Sequence, residues 1–146
     1  MNLLPWFEWL EATAVAGTIK QSIWLFPVIE CVHLLALALL GGTILVVDLR
    51  TLGFGLTPVT PGELARKLQP WMTGALLTMI ATGVPMFLSE AIKCYYSPPF
   101  WYKMALLLVA TAFTYTLRGR WTKPAALVSL ALWFGVGFAG RWIAFY

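Results

Sequence analysis

Charge is what this sequence has least of. Of 146 residues, 11% are Asp, Glu, Lys or Arg, while 60% are hydrophobic. Soluble domains carry about 25% charged residues. A chain of this size folded in water leaves roughly 30% of its unfolded surface exposed and must cover it with polar groups. The shortage excludes a disordered chain and a soluble globule. Mean hydropathy is +0.80, and a bilayer removes the need for a polar coat. The expectation is a small integral membrane protein.

Cysteine and histidine are equally scarce. Cys31 and Cys94 form no CxxC pair, which excludes a disulfide scaffold and a four-cysteine zinc site. With the single His33, no nucleophilic triad has a poised Ser or Cys beside its base. Ten basic residues stand against six acidic ones. They are scattered through short loops, a topology signal rather than a nucleic-acid surface. Residues 1–10 carry Glu8 and no basic side chain, unlike the start of a secretory signal.

What is present is a set of long apolar runs. A transmembrane helix needs about 20 such residues. Residues 22–49, 71–92, 100–117 and 124–145 qualify as spans. Between the first two, residues 51–70 hold Gly53, Gly55, Pro58, Pro61 and Gly62 and read as a loop. Thr60 with Glu63 forms a capping-box pattern that would start a short helix there. Ser97-Pro98-Pro99 stops any helix. Pro27 and Pro85 lie inside apolar runs and are expected to kink them. Residues 1–21 interleave Leu3, Trp6, Phe7 and Leu10 with Glu8 and Glu11. They form either a helix lying in the interface or a lead-in that packs on the bundle. No internal repeat or second domain is visible. The expected fold is all-α, a single-domain four-helix membrane bundle with an N-terminal interfacial amphipathic helix.

Four spans place both termini on one side. Arg50, Arg66, Lys67, Arg118, Arg120 and Lys123 outnumber Lys20, Lys93, Lys103 and Arg141. The positive-inside rule then puts the termini outside, periplasmic in a bacterial inner membrane. Tryptophans 6, 9, 24, 101 and 142 fall near that outer interface.

Ionisable groups inside a span mark function by default. Glu30 and His33 stand three apart and share a helix face. His33 is about 16 Å from the outer end of the first span at about 1.5 Å per residue, near mid-membrane. An imidazole at that depth ligates a metal or haem iron, relays protons, or bonds across the bundle. Haem b is the most specific of these, with His33 as metal ligand. Arg141, about 7 Å below the outer end of the last span, and Lys103 would then stand at the depth of its propionates. Met72, Met79 and Met86 recur every seven residues. Met79 is at the depth of a second axial ligand, though a methionine stripe is equally core packing. Five-coordinate iron and a ligand from a neighbouring subunit stay open. Glu30 is the candidate catalytic proton-transfer residue. Asp48 reads as an anchor pairing with Arg118 or Arg120.

Gly135, Gly137 and Gly140 spell GxGxxG, but no strand precedes them and no acidic residue follows. They read as sites of close helix approach, as do Gly41, Gly42, Gly74 and Gly83.

Pro27-x-x-Glu30-x-x-His33-Leu34, Gly41-Gly42, Asp48-Leu49-Arg50 and Gly140-Arg141-Trp142 resemble a family of small bacterial four-helix inner-membrane proteins suspected to bind b-type haem. The layout covers the whole chain. A looser likeness is to copper-resistance-protein-D-like and cytochrome b561-like proteins. The resemblance implies His33 as axial ligand and Arg141 near the propionates. The other haem histidines of the b561-like pattern are missing here, so one haem per subunit, within a homo-oligomer, fits better than a two-haem relay.

The expected function is electron transfer, or a small oxidoreductase activity, at the outer face, with quinone or a periplasmic protein as redox partner. The alternative is a cofactor-free membrane subunit or transporter-like protein using Glu30 and His33 as a polar or proton site. A copper handler using the methionines is a third reading. Whether the chain is an enzyme stays open at this point.

Overall fold

The computed structural model describes residues 3–55, 58–116 and 122–145. Every regular element among them is helical: α1 (Leu4–Glu11), α2 (Ala14–Gln21), α3 (Leu25–Leu52), α4 (Pro61–Ser89), α5 (Ala91–Tyr96), α6 (Pro98–Thr116) and α7 (Lys123–Trp142), then a 3-10 turn at Ile143–Phe145. Three of them, α3, α4 and α7, are long and apolar enough to cross a membrane. The chain is thus an all-helical protein of membrane character. α6, with 19 residues, occupies the place of the expected third span.

α3 packs along α4 and α7, and α6 along α7. The α3–α4 seam is a ladder of small and large apolar side chains. Ala36, Leu40 and Ile44 meet Met72, Ala75 and Met79, with Leu37, Leu76 and Trp133 alongside. Steps of three and four residues keep each row on one helix face. The outward faces stay apolar: Val28, Val32, Leu35, Leu39, Leu77, Val84, Leu108 and Phe134 are exposed, as lipid-facing positions are.

Several boundaries differ from the sequence reading, each for a local reason. α3 begins at Leu25, so Pro27 falls in its first turn, where proline breaks no helical bond. α3 ends on Gly53 at φ +104°, with Gly53 and Phe54 N–H bonded to the carbonyls of Arg50 and Leu49. That left-handed cap suits glycine. Thr60 caps α4, its Oγ1 accepting the Glu63 N–H at 3.3 Å. The helix then continues through Pro70 and Pro85 to Ser89. The expected loop helix and second span are therefore one element starting at Pro61 rather than Trp71. Leu64, Ala65 and Met72 are buried along its first half, and this packing outweighs the bond lost at Pro70.

Residues 1–21 form two helices, because Thr13 breaks the run. Its Oγ1 donates to Leu10 O at 2.8 Å and accepts Ala16 N–H at 3.4 Å. α1 packs on α5 and α2 on α4, with Phe7, Ala16 and Ile19 buried. Trp6 and Trp9 face outward, so the segment is docked on one side and exposed on the other. Glu11 ties it down, accepting the Ile92 N–H at 2.7 Å and pairing with Lys20.

Candidate functional site

α3 and α7 present their N- and C-terminal ends, respectively, to the same region as the end of α4, α5 and the start of α6. Together they line a half-open cavity of about 540 Å³, within the roughly 300–1,000 Å³ range of small-molecule and cofactor sites. All five residues singled out from sequence line it: Glu30, His33, Met79, Lys103 and Arg141. Phe26, Phe87 and Phe100 supply flat apolar wall. Phe87 and Phe100 are stacked, 5.5 Å between centroids and 9° between planes. Phe7 of α1 packs edge-on behind Phe87 at 5.6 Å, so the docked N-terminal segment buttresses this wall.

His33 is partly buried on α3. Its Nδ1 is 2.8 Å from Thr82 Oγ1 on α4. The Thr82 hydroxyl is itself the donor to Thr78 O at 2.7 Å, with Met79 O at 3.3 Å. One hydroxyl proton cannot serve both bonds. Nδ1 is therefore the protonated nitrogen, donating to Thr82, by assignment from this network. Nε2 keeps its lone pair. A histidine whose Nδ1–H is held by a partner is set up as a ligand through the other nitrogen.

Gly83, next to Thr82, makes room for the ring. A Cβ added there would stand 3.3 Å from His33 Cε1. Gly140 lies against Lys103 at the cationic end, where an added Cβ would make ordinary contact 3.5 Å from Lys103 Cε. Gly135 abuts Leu106 at 3.3 Å, so α7 uses this glycine for close approach to α6. Gly137 has no such neighbour, and neither do Gly41, Gly42 or Gly74. For these the expected close approach is absent.

The cavity is lined by cations and acids together. Lys103 is partly buried, whereas Arg141 is exposed and sits over the Phe145 ring at 5.6 Å. Glu90 and Lys93 of the α4–α5 corner also line it and pair at 3.8 Å. Cys94 completes the set, its thiol pushed up to about 11 by burial and then by the Glu90 charge. Glu30 is exposed and lines the cavity, but the ring of His33 is bonded to Thr82 and not to Glu30. Met79 is buried in the α3–α4 core and reaches the cavity from there. Among the described residues, no three His, Cys, Asp or Glu side chains gather as a metal site.

Sequence reasoning missed Thr82, Glu90, Lys93 and Cys94 as cavity residues, whereas the close approach expected at Gly83 is present. The available signal was the Thr82-Gly83 pair interrupting an apolar run. Asp48 is buried and hydrogen-bonded to Ser129 of α7, which sequence reading did not foresee. Its expected partners, Arg118 and Arg120, lie outside the described residues.

Residues 6–146 match DUF6644, a family of unknown function. The chain belongs to this family. No curated protein and no solved structure matches it. For this DUF6644 member the functional reading therefore rests on the cavity itself.

Proposed function

We propose that the cavity holds one b-type haem per chain, with His33 Nε2 as axial ligand, and that the protein transfers electrons at the outer face of a bacterial inner membrane. The observation that carries the reading is the Nδ1–Thr82–Thr78 chain, which occupies Nδ1 and, among the described residues, leaves Nε2 unbonded and available as a ligand. Axial ligation of a haem needs one such nitrogen rather than a cluster of ligands. The cavity's size, its stacked phenylalanines and its glycines suit a flat apolar macrocycle. Lys103 and Arg141 suit the carboxylates at its edge.

Each side chain then has a task. His33 would hold the iron and Thr82 would orient the ring. Lys103 and Arg141 would neutralise the propionates, and Phe26, Phe87 and Phe100 would keep water from the macrocycle. When bound, the group supplies one-electron redox chemistry. Glu30, exposed on the cavity wall, gives or takes the proton that accompanies reduction of a quinone-class partner. Met79 stands on the α4 turn that holds Nδ1, so it would pack behind the ring rather than serve as the second ligand, which leaves a neighbouring subunit or no second ligand. In this reading α6 is the fourth crossing, both termini face the periplasm, and the exposed tryptophans 6, 9, 24, 101 and 142 form the outer aromatic belt. Copies of the chain associate through their apolar outer faces.

The test is metal and haem content of the full chain purified from haem-sufficient cells. The account expects about one haem and one iron per chain, and none in His33→Ala. Copper without iron would favour the methionine reading. Metal-free, colourless protein that also fails to take up added haemin would favour a cofactor-free polar site.

A further inference from the structure

We propose that a second, smaller cavity at the opposite end of the bundle binds a small monovalent cation, sodium in the first instance, with Asp48 as its carboxylate ligand. This inference stands apart from the haem reading and shares no lining residue with it. The cavity measures about 60 Å³ and lies among the C-terminal half of α3, the first half of α4, the end of α6 and the start of α7. That is room for an ion with a few waters.

Its polar wall is built from Thr43, Asp48, Thr51, Thr114 and Ser129. Asp48 is only 8% exposed, and among the described residues its Oδ2 has no hydrogen-bond partner. Ser129 bonds the carboxylate. The threonines have no proton left to offer. Thr43 donates to Leu40 O at 2.8 Å, Thr51 to Val47 O at 2.9 Å, and Thr114 to Ala110 O at 2.8 Å. Thr114 Oγ1 already accepts the Trp133 Nε1–H at 3.0 Å. The wall therefore presents lone pairs and almost no donors.

A buried carboxylate among lone pairs is unfavourable unless positive charge joins it. No basic side chain lines the cavity among the described residues. Arg50, two residues further on, directs its Nε to Val59 O at 2.6 Å. The C-terminal end of α3 adds negative partial charge nearby. A water molecule offers two hydrogens, whereas a cation accepts several oxygen lone pairs at once. Hard oxygen donors select hard cations, and one carboxylate balances one unit of charge. A divalent ion would leave a buried excess.

The experiment follows thermal unfolding of the full chain in detergent while sodium chloride replaces choline chloride at constant ionic strength. The expected result is a saturable rise of about 2–4 °C in sodium. Asp48→Asn should abolish the response, and Ser129→Ala should shift its midpoint to higher sodium. Equilibrium dialysis with radioactive sodium should give about one ion per wild-type chain, a readout that survives poor folding of Asp48→Asn. No sodium response in wild type, or the same response in Asp48→Asn, overturns the assignment. So does acid stabilisation that is the same in sodium and in choline and disappears in Asp48→Asn, since Asp48 would then hold a proton whether or not sodium is present.

Discussion

His33 Nδ1 and Thr82 Oγ1 meet at 2.8 Å across the α3–α4 seam, and this one bond ties the imidazole of α3 to α4 through Nδ1. Thr82→Val keeps the side-chain shape and removes the acceptor. Outer-shell partners of this kind are typically worth about 10–100-fold in metal affinity. A haemin titration of Thr82→Val should therefore show affinity reduced by about that factor, with Thr82→Ser near wild type. Equal affinity in Thr82→Val and wild type would remove the hydroxyl from the account.

Gly83 sets the ring's position by what it lacks. In Gly83→Ala the new Cβ would lie 3.3 Å from His33 Cε1. The ring must shift by a few tenths of an ångström or turn. The expected outcome is weakened haem uptake and an altered absorption band, with thermal stability close to wild type, because alanine is the better helix former by about 1 kcal/mol. A variant that unfolds several degrees lower with an unchanged spectrum would mark Gly83 as a packing position only.

These two residues also show where sequence reading stops. The apolar runs, the Thr60 cap and the grouping of Glu30, His33, Lys103 and Arg141 follow from spacing and helix rise along single segments. The partner of His33 does not, because it depends on the register between α3 and α4, which no single segment encodes. The Gly41-Gly42 pair misleads for the same reason: small residues permit close approach, but only the neighbouring helix decides whether it happens. α4 running through Pro70 is likewise a tertiary effect, since its first half is held by burial. The bond between Asp48 and Ser129 was likewise illegible, because the distance from α3 to α7 is invisible along the chain.

Glu11 predicts a pH response of the docked N-terminal segment. Its side chain is 17% exposed. Burial works to raise its carboxyl, but the Lys20 hydrogen bond, the Ile92 N–H and the Lys20 charge together hold it below the ordinary value of 4.5. A lowered folded-state value means the tether's stabilisation is complete above about pH 4.5 and is lost as pH falls through the folded value. Wild type should unfold at a higher temperature than Glu11→Gln at pH 7, and the two should converge on acidification below that point. A gap that stays constant down to pH 3 would show that the tether is not ionic.

Cys94 offers a chemical probe of the cavity wall. Its thiol is pushed up to about 11, first by burial and then by Glu90, so little thiolate exists at pH 8. In a Cys31→Ser background, iodoacetamide should label Cys94 slowly at pH 8, with the rate climbing toward pH 11. A rate that levels off near pH 9, as for an ordinary thiol, would contradict the burial of this thiol.

The central claim is that His33 holds iron porphyrin through its free nitrogen. The dithionite-reduced minus oxidised absorption spectrum of the purified chain, wild type beside His33→Ala, addresses it directly. The account predicts a Soret band that shifts on reduction in wild type and vanishes in His33→Ala while the variant keeps its helical content. A wild-type protein without that band after haemin is added, or a His33→Ala protein that retains it unchanged, contradicts the account.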